Sequence, residues 1–201
     1  MNVAAKYREH ITIIGIYMTI QQFTTLKTYF TCFIALAIWL LLFWQYNHSG
    51  VPSHHLLQRA DLPAISNWWG AILLPLLSWT LLTLIEKQQT KVDYGNNFNV
   101  IAINFICALS YGAVLSQSFA LGYSNISSIM FPSILFFALF FKVYKAEFVL
   151  GFILSMSIVF GAVLPTIFAI LIAVLAFIVH HIAQYILSFF KGKFPLTQHN
   201  K

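Results

Sequence analysis

Two adjacent histidines, His180 and His181, lie deep in a long apolar stretch and are the residues of this chain best placed to do chemistry. An ionisable side chain at membrane depth costs about 2.5–3.5 kcal/mol when charged, so such a residue marks an ion or substrate pathway by default. A near-neutral imidazole suits proton coupling or metal transit. At helical spacing His180 stands one turn from Gln184, and His181 stands one turn from Tyr185 and two from Ser188. No Asp or Glu falls inside an expected span, so the partners available to an uncharged imidazole are Asn104, Ser110, Tyr111 and Gln184. A hydrogen bond from the histidine pair across to the segment holding Asn104 is therefore expected.

That segment carries Asn97, Asn104, Tyr111 and Ser118 at intervals of seven. On a helix such a repeat keeps one face, with only about 20° drift per heptad. Amides and hydroxyls cannot face lipid cheaply, so the stripe must face the bundle interior or a wet cavity. The plainer reading is interhelical hydrogen-bond glue, at about 0.6 kcal/mol per contact.

A third group sits between the first two apolar stretches, where His48, His54, His55, Arg59 and Asp61 share about twenty residues. His54, His55 and Asp61 could hold a metal or form an acid–base pair, and the loop as a whole could gate a path or bind a ligand. If residues 54–61 were helical, His54, Gln58 and Asp61 would share a face. No His-Glu-x-x-His or paired-cysteine motif accompanies them, so no established zinc site is implied. The bland alternative is an amphipathic segment whose Leu56, Leu57 and Leu62 dip into the interface.

The elements that must position these residues follow from composition. The 201-residue chain is 60% apolar and only 8% charged, against about 45–50% and 25% in soluble domains. Its net charge of +6 belongs to span ends and to anionic lipid rather than to nucleic acid. The fold expected is an all-α polytopic transmembrane bundle, one membrane domain over residues 1–201. Spans are expected at about 28–46, 67–85, 98–119, 126–141, 148–163 and 166–190, with an outer loop at 47–66. More than forty residues from Phe148 to Phe190 lack any Lys, Arg, Asp or Glu. As one helix they would exceed 60 Å, about twice the hydrocarbon core. The chain must reverse, and Gly161 to Thr166 is the breaker cluster, with the turn expected near Leu164-Pro165.

Residues 10–25 read as an interfacial helix rather than a cleavable signal, since Gln21-Gln22 and Lys27 follow without a small-residue cleavage site. Ten of the eleven basic residues then fall on one face and Arg59 alone on the other, which puts both termini in the cytoplasm. Gly151 and Ser155 have small-xxx-small spacing for close helix packing, and Glu147 reads as a solvated interface charge. Cys32 and Cys107, both in apolar segments, imply no disulfide or metal site.

These features exclude the common enzyme motifs: no Gly-x-Ser-x-Gly, no Walker glycine loop, no paired intramembrane aspartates. No cofactor is named by any motif. The expectation is a small multi-pass permease or channel of the plasma (inner) membrane. It would move a small solute, proton or metal ion along a polar path formed by His180, His181, Gln184, Asn104, Tyr111 and Ser118. The alternatives are a membrane-embedded enzyme or a metal- or haem-handling assembly factor using the outer His/Asp loop, or a structural subunit of a larger membrane complex. The lipid bilayer is the one certain partner in each, a homo-oligomer is compatible with all, and nucleic acid is not expected.

Overall fold

The computed structural model describes residues 3–48, 50–55, 61, 64–89 and 94–193. Six helices carry almost all of it. They are α1 (Val3–His48), α2 (Gly70–Gln89), α3 (Tyr94–Ala120), α4 (Ser124–Phe140), α5 (Ala146–Phe160) and α6 (Val163–Lys193). A short hairpin, β1 (Ser53–His55) with β2 (Ala64–Ser66), joins α1 to α2. Four stretches are long and apolar enough to cross a bilayer: Gln21–His48, Asn67–Gln89, Phe98–Ala120 and Val163–Ser188. The chain is a multi-pass, all-helical membrane protein. At 17 and 15 residues, α4 and α5 reach only about 25 and 22 Å, less than the roughly 30 Å core.

The expected break between an interfacial helix at 10–25 and a first span at 28–46 is absent, for α1 runs 46 residues without interruption. No proline lies within it and Gly15 is its only glycine. Thr25 and Thr28 donate their hydroxyls to the carbonyls of Gln21 and Thr24, four residues back. The polar junction therefore stays helical.

The outer loop is also corrected. His54 and His55 belong to a strand, with Ser53 opposite Ser66, His54 opposite Ile65 and His55 opposite Ala64. His54 and His55 are thus extended rather than helical, and Gln58 lies outside the described residues. Ser66 caps the turn Asn67–Trp69 by accepting from the Trp68 amide at 3.4 Å. Pro75 lies inside α2 without ending it.

α1 and α2 run antiparallel. Toward one end Trp39 meets Trp68, just before α2, at 6.4 Å between ring centroids; toward the other, Lys27 Nζ lies 2.5 Å from Glu86 Oε2. The Lys27 ammonium also sits 4.5 Å over the Trp79 ring, and Thr24 donates to the second Glu86 oxygen. Sequence alone marked Lys27 only as a charge at a span end. It is in fact buried, its charge matched by the one acid at the end of α2.

The reversal between α5 and α6 falls at Gly161-Ala162, a few residues earlier than expected. Gly161 adopts φ 72°, a left-handed conformation that costs side-chain-bearing residues about 1 kcal/mol or more. Pro165 lies instead in the first turn of α6, where its missing N–H removes no helical bond. Tyr144 and Phe177 meet at 5.2 Å, each about sixteen residues from the glycine, so the two helices fold back on one another.

The closest helix pair is α3 with α5, which run parallel. The small residues expected to pack do so: Gly151 and Ser155 of α5 meet Ala108 and Gly112 of α3. A Cβ built on Gly151 would stand 2.5 Å from the Phe105 carbonyl oxygen and 3.0 Å from the Leu109 nitrogen. Both are backbone atoms of a helix and cannot swing aside. Gly151→Ala should accordingly lower the thermal midpoint of the purified protein, with a stability loss of about 1–3 kcal/mol. Ile158→Ala, on the exposed face of α5, should leave it unchanged, and equal midpoints for the two variants would refute this contact.

Candidate functional site

The α3–α5 contact separates α3 from α6, and a cavity of about 430 Å³ opens among α3, α4, α5 and α6. Its wall takes Asn104, Cys107 and Tyr111 from α3, Ile134 and Phe137 from α4, Phe148 and Phe152 from α5, and Ala169, Ile172 and Ala173 from α6. Phe141 and Val143, in the segment between α4 and α5, close one end. The volume falls in the range of about 300–1,000 Å³ common to small-molecule sites. Its lining is almost entirely hydrocarbon.

The polar residues that do line it are already engaged. The Tyr111 hydroxyl lies 2.5 Å from the Met130 carbonyl oxygen and 2.6 Å from Ser133 Oγ, and Ser133 itself donates to Met130. This clasp holds α3 to α4. The Asn104 amide donates to Glu147 Oε1 at 3.2 Å, which ties α3 to α5. Tyr111 and Asn104 thus occupy the interior face that the seven-residue repeat predicts, and Ser118 on the same stripe is buried as well. The side chain of Asn97 lies outside the described residues.

The histidine pair does not join them. His180 is 5% exposed, and its Nδ1 lies 3.0 Å from the Ala138 carbonyl oxygen of α4. A carbonyl only accepts, so Nδ1 carries the proton and donates. The expected bond to span 3 is replaced because α4 lies beside this part of α6. His181 bonds back to the Phe177 carbonyl of its own helix and is exposed, as is Gln184. A continuous polar path linking His180, His181 and Gln184 to Asn104, Tyr111 and Ser118 is therefore not formed. The histidines border Tyr144 instead, with ring centroids at 5.8 and 6.1 Å.

At the end of α1 His48 stacks on Trp44 and donates from Nδ1 to its carbonyl. Asp61 is exposed. Arg59 and the side chains of His54 and His55 lie outside the described residues, so the metal or acid–base pairing expected of His54, His55 and Asp61 has no described geometry. Among the described residues no three of His, Cys, Asp and Glu gather to hold a metal.

Glu147 is the site residue that sequence reasoning missed. It is 2% exposed rather than solvated, held by Asn104 and by Lys145 Nζ at 3.7 Å. A signal was available. Glu147, Gly151 and Ser155 recur every fourth residue, so the face that packs by small residues must also carry the carboxylate inward. Comparison of the chain with protein-family models, curated proteins and solved structures returns no match.

Because a carboxylate buried at a helix interface depends on its donors, Asn104→Leu should destabilise the fold by about 1.5–3 kcal/mol, the range for hydrogen bonds to charged groups. Adding Glu147→Gln should recover part of the loss. A double variant no more stable than Asn104→Leu, measured by thermal unfolding in detergent, would show that the pair does not couple.

Proposed function

We propose that the chain is a small permease or channel of the plasma (inner) membrane, with the cavity among α3, α4, α5 and α6 as its solute compartment. The observation that carries this reading is the cavity itself: a four-helix bundle of this size, built only to pack, would fill a volume of about 430 Å³ with side chains. Six crossings and cytoplasmic termini complete the reading. Lys27, Lys87, Lys142 and Lys145 gather at one end of the bundle, and the β hairpin and the Gly122 and Gly161 turns at the other, in keeping with the positive-inside pattern. α4 and α5 then cross as short helices where the bilayer thins, at fractions of a kcal/mol per ångström of mismatch. The segment from His48, at the end of α1, through His54, His55, Arg59 and Asp61 would act as the outer gate. A mostly hydrocarbon lining favours an organic solute over a proton or a metal ion.

A second reading has its own support. Tyr111, Asn104 and His180 each spend their polar group on a neighbouring helix, which suits a structural subunit of a larger membrane complex. The exposed aromatic side of α1, with Tyr29, Phe33, Trp39 and Phe43, fits the same idea. The enzyme and assembly-factor readings rest on the outer hairpin alone.

Water access separates the two supported readings. In a cysteine-free background (Cys32→Ser, Cys107→Ser), Ala173→Cys on the cavity wall should react with an impermeant thiosulfonate added from one side of the membrane. Val174→Cys, on the exposed face of α6, should not. Equal inertness of both positions from either side would remove the compartment and leave the structural reading. The proposed topology has its own check: Ser53→Cys should label with an impermeant maleimide in intact cells. Labelling only after cells are opened would invert the orientation.

A further inference from the structure

The α3–α4 hairpin is held shut at one level and open at another. The clasp of Tyr111, Met130 and Ser133 joins the two helices midway. From there toward the basic end, Ile103 and Cys107 on α3, Phe137 on α4 and Phe141 just beyond it line the cavity and are also exposed. They are the exposed part of its lining, whereas the lining residues of α5 and α6 are buried or half-buried. The cavity thus has a lateral mouth between α3 and α4 facing the hydrocarbon of the bilayer, and its far walls at Phe152, Ala169 and Ala173 are apolar.

A basic residue adjoins that mouth in the chain. Phe141 and Val143 both line the cavity, and Lys142 between them is exposed, with no ion pair among the described residues. Glu147 does not offset it. That carboxylate is buried behind the wall and already has Asn104 and Lys145 as partners. With the Tyr111 hydroxyl and the Asn104 amide both occupied, the interior offers a ligand little but van der Waals surface.

The geometry points to a single-chain anionic amphiphile as the occupant: an alkyl chain lying between α3 and α4 in the cavity, entered from the bilayer, with a carboxylate-class head group at Lys142. This deepens the permease reading and rests on it, since the same cavity is the solute compartment there. A volume of about 430 Å³ suits one chain rather than a whole two-chain lipid, and a basic side chain at the membrane surface attracts an anion by about 1 kcal/mol.

Tritiated palmitate, offered to the full-length protein in nanodiscs, tests this by scintillation proximity. Saturable binding is expected, competed by unlabelled palmitate and not by added phosphatidylglycerol. Lys142→Gln should weaken palmitate binding about fivefold while leaving competition by uncharged hexadecanol unchanged. Ala173→Phe should abolish binding by filling the cavity, and Val174→Phe should not. Should Ala173→Phe fail to fold, a diazirine-bearing palmitate on the unmodified protein must crosslink to peptides of α3, α4 and α6. Crosslinks confined to the outer face of α1 would overturn the proposal. So would hexadecanol competing as well as palmitate against the unmodified protein, or phosphatidylglycerol displacing the label. Absent palmitate binding with Ala173→Cys still reactive to thiosulfonate would refute the ligand class and leave the compartment standing. Absent binding with Ala173→Cys inert would refute both.

Discussion

The close approach of α3 and α5 is the constraint on which the rest of the bundle depends. In hydrocarbon no hydrophobic force draws two helices together, so association rests on van der Waals contact and interhelical hydrogen bonds, both short-ranged. Gly151, Ser155, Ala108 and Gly112 let the two backbones come near enough for such contact. Once they do, Glu147 is carried under α3 beside Asn104, and Phe152, Ile153 and Met156 of α5 join one buried core with Ile38, Leu42 and Leu74 of α1 and α2. α3 cannot at the same time close upon α6. The cavity is the space left by that choice.

Polar side chains then stitch the remaining helices. Tyr111 fastens α3 to α4, His180 fastens α6 to α4, and Asn67 reaches from the start of the second span to Gln45 of α1. Each gives its donor to a backbone carbonyl or an amide oxygen on another element, as a low-dielectric surrounding requires of polar groups with no water to turn to. The charged groups that penetrate the bundle, Lys27 with Glu86 and Glu147 with Lys145, lie at one end. There a long side chain can keep part of its length in the apolar region and its charge near the interface or on a partner. Polarity is thus asymmetric along the bundle, with hydrogen bonds at mid-depth and ion pairs at the basic end.

The mouth between α3 and α4 has the same origin. The hairpin is joined by the tight turn at Leu121–Tyr123 and clasped at Tyr111; beyond the clasp Glu147 of α5 holds α3 through Asn104 and His180 holds α4 toward α6. Bulky Phe137 and Phe141 line the gap without closing it.

The sequence by itself determined what depends on local hydropathy, periodicity and backbone chemistry. Membrane class, the positions of α2 to α6 to within a few residues, a reversal near Gly161, and the interior face of Asn104, Tyr111 and Ser118 all follow from spacing and from breaker residues. So does the small-residue contact at Gly151 and Ser155. Local reasoning failed where a break was inferred from polarity alone, since Gln21, Gln22 and Lys27 do not stop a helix that contains no proline. It failed again for the loop after α1, where backbone pairing between residues nine to thirteen apart put His54 and His55 in a strand. Tertiary structure alone decided which stripes meet. Periodicity says that a residue faces inward but not which neighbour it faces, and packing of α3 on α5 gave His180 to α4. The burial of Glu147 was likewise decided between helices: a carboxylate at a helix start looks solvated until the partner that covers it is known.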